Sequence, residues 1–278
     1  MRKSVLHTVL VCLVALTVVS CSGYNKIAKA SDYNTKFSLA KDLFAQGRFT
    51  TAGTLLEECV AYQRGTDQAE ESMFLLATCY FNLKDYVSAS QYYMTCYRSY
   101  PGSAYSDESL FRSGYSLFLD MPDPRLDPTS TQNAIVQLQN FVETCPYSRF
   151  RPRAEELIAI MYDRLVEKEL KSADLYYNMG NYLGNNFRSA IIVAENALRD
   201  YPFTKYREDL SLIILKAKFE MAQESVLEKR DDRYRDAIDE YYAFKNEYPE
   251  SGHMKEADRI FRLASRNLNQ KEIITEED

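Results

Sequence analysis

An alanine is followed twelve residues later by a proline four times in this chain: Ala89 and Pro101, Ala134 and Pro146, Ala190 and Pro202, Ala237 and Pro249. Ala52 opens a fifth copy, with Arg64 in the proline slot. An aromatic residue stands three positions before four of these alanines (Phe49, Tyr86, Phe187, Tyr234), and Thr131 before the other. Four and seven residues after the alanine come Leu56 and Cys59, Tyr93 and Cys96, Leu138 and Phe141, Ala194 and Ala197, Tyr241 and Phe244. Small or apolar residues at that spacing mark one face of an α-helix. The proline ends each helix, because it lacks an N–H and drives the preceding residue out of the α region. Copies of this kind imply an all-α solenoid.

The N-terminus is set apart from this array. Arg2 and Lys3 precede an unbroken, mostly apolar stretch from Val5 to Val19, followed by Ser20 and Cys21. The stretch is shorter than the roughly 20 residues a membrane span needs, and it has the layout of a secretory signal. Its end resembles a bacterial lipoprotein signal, in which cleavage after a small residue leaves a lipidated cysteine. Residues 1–20 are read as the signal, Cys21 as the lipid attachment site, and 21–33 as the anchor with a short polar linker. Several acyl chains, at about 0.8 kcal/mol per buried methylene, tether the mature chain without threading it through the membrane. Losing Arg2 and Lys3 moves the net charge from −6 to −8. That acidic balance argues against nucleic acid and against broad contact with anionic lipid.

Helix pairs follow over residues 34–250. In the first, Leu39, Ala40 and Leu43 face Phe49, Ala52, Leu56 and Cys59 across Gln46-Gly47-Arg48. In the second, Met73, Leu76, Ala77 and Tyr80 face Tyr86, Ala89, Tyr93 and Cys96 across Leu83-Lys84-Asp85, offset by 37 residues. The second copy, ending in Pro101, resembles the tetratricopeptide repeat, whose small residues let helices approach while its aromatics fill the gaps. The resemblance implies about five helix pairs. The third is interrupted by the Pro- and Asp-rich segment 120–127, between a helix from about Ala104 to Leu119 and another starting near Pro128. An extra helix after Pro146, with Leu157, Ile158, Met161 and Leu165, leads into the fourth pair. A capping helix is expected over 251–269, since end repeats shield the stack. Residues 270–278 are expected to form an acidic, disordered tail.

Few residues here can carry covalent chemistry. His7 leaves with the signal, and His253 stands alone near a helix start, so no base is tied to a nucleophile. The nine glycines form neither a P-loop nor a dinucleotide fingerprint. Carboxylate neighbours such as Glu57-Glu58, Glu70-Glu71 and Glu155-Glu156 point in different directions on a helix and suit solvated faces. Cys59 and Cys96 share a slot that Phe141, Ala197 and Phe244 fill elsewhere, which reads as buried core; Cys79 and Cys145 also lie on helical patterns. No metal-binding or redox spacing is present. The expectation is a binding scaffold with no enzymatic activity, no cofactor and no metal.

In tetratricopeptide stacks the first helix of each pair lines an inner groove. Here the positions off the packing set are Phe37, Lys41 and Phe44, then Phe74, Thr78 and Phe81. Two readings stay open for these rings. They pack against the neighbouring helix, or they wall a groove for an extended, partly apolar peptide, with large contact area at little side-chain entropy cost.

Arg125-Leu126-Asp127-Pro128 before Ala134, then Asp163-Arg164-Leu165, Glu169, Ala173, Tyr176-Tyr177 and Tyr201-Pro202, resemble the BamD family. That family comprises tetratricopeptide lipoproteins of the machine that inserts β-barrel proteins into the bacterial outer membrane. The resemblance runs diffusely over most of residues 21–268. It implies a lipid-anchored protein at the outer membrane, facing the periplasm. C-terminal repeats would hold the periplasmic domains of the central barrel component, and the N-terminal groove would receive segments of unfolded outer-membrane proteins. Neither Arg188 nor Arg199 can be matched to the family's basic contact with the barrel component. An adaptor for other cell-envelope partners is the alternative. A nutrient-binding lipoprotein is disfavoured, because the repeats leave no room for a sugar-binding region.

Overall fold

The structure is a computed structural model that describes residues 32–62, 65–66, 68–182 and 184–275. The signal, Cys21, the linker up to residue 31, the slot residue Arg64 and residues 276–278 of the tail lie outside the described residues. Among the described residues there are eleven helices and no strand. The first six are α1 (Tyr33–Ala45), α2 (Phe49–Tyr62), α3 (Ala69–Asn82), α4 (Tyr86–Ser99), α5 (Ser106–Leu119) and α6 (Thr129–Thr144). They are followed by α7 (Arg151–Met179), α8 (Asn186–Asp200), α9 (Arg207–Gln223), α10 (Leu227–Glu247) and α11 (Met254–Thr275). The described residues divide into two compact units, one of those up to residue 122 together with 129–158, the other of 123–128 together with those from residue 159 onward.

Consecutive helices pack as pairs inside each unit, and the repeat positions make the contacts. Ala52, Leu56 and Cys59 are fully buried, as are Ala89, Tyr93, Ala134, Leu138 and Phe141. Burying a leucine of this kind stabilises the fold by about 1.5–3 kcal/mol. In the second unit Ala190, Ala194 and Ala197 of α8 pack with Val166 and Ala173 of α7 and with Leu210, Ile213 and Ala217 of α9. Tyr234, Ala237, Tyr241 and Phe244 of α10 close against Ala257, Ile260 and Ala264 of α11, the capping helix.

The turns follow from local chemistry. Asp85 and Asn185 cap α4 and α8 by accepting the N–H of Ser88 and Arg188, each at 3.1 Å. The α1–α2 turn is a Schellman motif: Arg48 N–H reaches the Leu43 carbonyl at 2.9 Å, with Gly47 at φ 74°. The same bonds recur 37 residues later, where Asp85 N–H reaches the Tyr80 carbonyl at 3.0 Å. There the left-handed residue is Lys84, at φ 63°.

Two details differ from the sequence reading. The expected extra helix and the first helix of the fourth pair are one continuous α7, because no glycine or proline after Pro152 interrupts it before Gly180. The closing helix runs to Thr275, past residue 269, since Gln270, Lys271 and Glu272 are good helix formers. The 120–127 segment is irregular, as its prolines and aspartates imply, and polar groups hold it. Asp123 accepts the backbone N–H and Nε of Arg125 at 2.9 and 3.0 Å, and Lys168 donates to the Leu126 carbonyl at 3.2 Å. Cys59, Cys79, Cys96 and Cys145 are free thiols.

Candidate functional site on the first unit

The phenylalanine pairs of α1 and α3 continue into α5. Phe37, Phe74 and Phe111 stand 37 residues apart, and so do Phe44, Phe81 and Phe118. Ala40, Ala77 and Gly114 run in step with them. Following the repeat one helix further would therefore have exposed a third aromatic row, with Tyr115 at the position of Lys41 and Thr78.

These rings have different environments. Phe37 is only 3 % exposed and packs with Ala40, Leu43 and Leu56. It lies one turn before Ala40 on the same helical face, so its place is the core, which corrects its reading as a groove wall. Lys41 brings its ammonium to 4.8 Å from the Phe37 ring centre and 3.3 Å from Glu71, covering that ring further. Phe44 is half-buried, edge-on to Phe49 at 5.4 Å.

Phe74 and Phe81 are half-buried, packing on neighbours while keeping some surface open. Phe74 stacks on Tyr105 at 4.6 Å and meets Tyr93 edge-on at 5.6 Å. Phe81 meets Tyr86 edge-on at 5.6 Å and Tyr115 at 5.8 Å. Thr78 donates to the Phe74 carbonyl at 2.8 Å, and its hydroxyl lies 2.9 Å from the Tyr93 hydroxyl.

Arg112 of α5 sits at the centre of this face. Its guanidinium lies 5.9 Å from the Phe74 ring centre, 5.8 Å from Phe81 and 6.0 Å from Tyr93, all within cation–π reach. Its Nε donates to Glu108 at 2.7 Å, and Glu108 also accepts from Arg149 at 3.2 Å. Burial disfavours the Arg112 charge, but the neighbouring Tyr93 and Glu108 outweigh it and hold the group above its ordinary value. Burial pushes the Tyr93 phenol up, with Arg112 and Thr78 opposing. The result is a polar chain, Glu108–Arg112–Tyr93–Thr78, set in a partly open aromatic surface. It can orient and hold an extended chain through ring contacts and a fixed cation. Among the described residues no group of three His, Cys, Asp or Glu is placed to hold a metal ion.

The second unit carries separate features. Tyr162, Tyr201 and Pro202 line a cleft of about 270 Å³ beside Phe203, whose ring is 99 % exposed. Asp163 shapes that cleft by accepting from the Thr204 hydroxyl at 2.9 Å. Arg188 is exposed on α8, in a groove it shares with Ile192 and Glu195, whereas Arg199 pairs with Asp200 at 3.0 Å.

A family profile described as YfiO, outer membrane lipoprotein, matches residues 29–213, about two thirds of the chain. The chain belongs to the YfiO family of outer membrane lipoproteins. This is the BamD-like family that the residues from Arg125 to Pro202 resemble. The YfiO match takes in the whole aromatic face of the first unit and ends within α9, so α10 and α11 lie beyond it. No curated protein matches the chain. Among the described residues no helix is long and apolar enough to cross a membrane.

Proposed function

We propose that this YfiO-family protein is a non-catalytic scaffold of the β-barrel assembly machinery, held at the outer membrane through a lipidated Cys21 and facing the periplasm. The first unit would receive extended segments of unfolded outer-membrane proteins. The second would hold the periplasmic domains of the central barrel component. The observation that carries the reading is the half-open aromatic face around Arg112, in a chain of an outer-membrane lipoprotein family. Segments that alternate aromatic and apolar residues gain contact area on Phe74, Phe81 and Tyr115, whose packing has already removed most of their rotamer freedom. Phe203 beside its cleft supports a protein contact on the second unit, because a ring left 99 % in water is a natural anchor for a partner.

Depletion in the native host tests this. Loss of the protein should lower the amount of folded barrel proteins in the outer membrane, and the tagged protein should co-purify with a large barrel component. Unchanged barrel levels after full depletion would refute the role. Recovery of other envelope proteins without a barrel component would favour the adaptor reading.

A further inference from the structure

The two exposed aromatic residues among the described residues of the first unit lie on one edge. In an up-and-down stack, the starts of the first helices and the ends of the second helices share a side. Sulfur contacts mark that side three times. Cys59 near the end of α2 lies 3.8 Å from the Tyr33 carbonyl, and Cys96 near the end of α4 lies 3.8 Å from the Glu70 carbonyl. Cys145, just after α6, lies 3.5 Å from Asp107 at the start of α5. Tyr62 and Tyr147 project from this edge, 68 % and 100 % exposed, and Tyr33 stacks on Tyr62 at 4.4 Å. The opposite edge, with its turns at Gly47, Lys84 and Asp120, has no exposed aromatic ring among the described residues.

We propose that this edge rests on the headgroup layer of the membrane that holds the anchor, with Tyr62 and Tyr147 as its contacts. The inference depends on Cys21 being the lipidated residue. Asp32 caps α1 on this same edge, and the eleven residues from Cys21 to Asp32 span at most about 40 Å when fully extended. The tether therefore emerges where the tyrosines stand. Tyrosine suits the membrane–water boundary, with an apolar ring and a polar tip. The edge also carries carboxylates. Glu58 is paired with Lys36, and Glu108 with Arg112 and Arg149, but Glu70 and Asp107 add negative charge. A zwitterionic lipid surface of the phosphatidylethanolamine type fits this charge, and a strongly anionic one does not.

The chain has no tryptophan, so a single introduced indole reports its own surroundings. The acylated full-length protein, with Tyr62→Trp or Tyr147→Trp, would be bound to phosphatidylethanolamine vesicles containing a headgroup nitroxide lipid. Leu83→Trp on the opposite edge serves as the reference. Both tyrosine-site indoles should shift to the blue and lose intensity to the nitroxide, and the Leu83→Trp indole should do neither. Flotation with the vesicles but no quenching at either site would overturn the proposal while leaving the anchor intact. Failure of the acylated protein to float would overturn both. A blue shift without nitroxide quenching would assign the edge to a protein contact and also overturn the proposal.

Discussion

Gly114 sits in the middle of α5, where glycine normally weakens a helix, and its neighbour explains it. A Cβ added there would lie 2.6 Å from Cδ2 and 2.7 Å from Cγ of Leu138, against a normal carbon–carbon contact of about 3.5–4.0 Å. Leu138 is fully buried, so it has nowhere to retreat. Gly114→Ala therefore sets two terms against each other. Alanine gains up to about 1 kcal/mol of helix propensity. Forcing α5 and α6 apart costs about 1–3 kcal/mol. A net loss near 1 kcal/mol lowers Tm by about 2–4 °C in a chain of this size. Leu138→Ala alone should cost about 2–5 kcal/mol, and the double variant should lose less than the two single losses together, because the added methyl occupies part of the vacated space. Thermal unfolding followed by far-ultraviolet circular dichroism reads all three. A rise in Tm for Gly114→Ala would refute the close approach, since it is what an uncrowded helix interior gives.

Lys84 holds a left-handed conformation in the slot that Gly47 fills one repeat earlier, so Lys84→Gly should stabilise the protein by about 1 kcal/mol, read as a raised denaturation midpoint. A lowered midpoint would count against backbone strain at that turn. Burial pushes the Cys79 thiol up to about 12 and, with Glu58, the Cys59 thiol up to about 11, so native protein at pH 8 should resist alkylation at both sites. Their folded values are raised, so the stability from burying neutral thiols is full below the unfolded value of 9.0 and is lost as the pH climbs toward 11–12. Rapid native labelling, read by mass spectrometry, would contradict the burial. Asp123 is held down at about 2 by Arg125, so its contribution to the 120–127 segment is present above the ordinary value of 3.8 and lost as the pH falls toward 2. Carboxyl titration by NMR should show this midpoint, and an ordinary one would contradict the Arg125 contacts.

The second helices were the most legible part of the chain. Ala52, Leu56 and Cys59 and their counterparts are pinned by helical spacing, with a proline stop in four of the five copies, and each lands in the core. The continuity of α7 was not legible, because two apolar patches on a 29-residue helix look like two helices when only their spacing is read. The aromatic face was half legible. Periodicity puts Phe37 and Phe74 at the same repeat position, yet Phe37 is buried by Lys41 and the leucines of its own pair, whereas Phe74 is left partly open beside Tyr105. Periodicity cannot distinguish these fates, because both rings share a repeat position and differ in the residues around them, Lys41, Leu43 and Leu56 at Phe37 against Tyr93 and Tyr105 at Phe74. Arg112 went unnoticed for the same reason: an arginine on a helix reads as a solvated charge until Phe74, Phe81 and Tyr93 are brought around it.

The most direct test is the affinity of the full-length protein for a fluorescent peptide of alternating aromatic and apolar residues, measured by anisotropy. Phe74→Ala with Phe81→Ala should weaken binding at least about tenfold with the helical circular dichroism unchanged, on the scale of losing two aromatic contacts. Phe203→Ala on the second unit should leave it intact. Undiminished binding by the folded double variant would contradict the claim that the first unit grips extended chains through these rings.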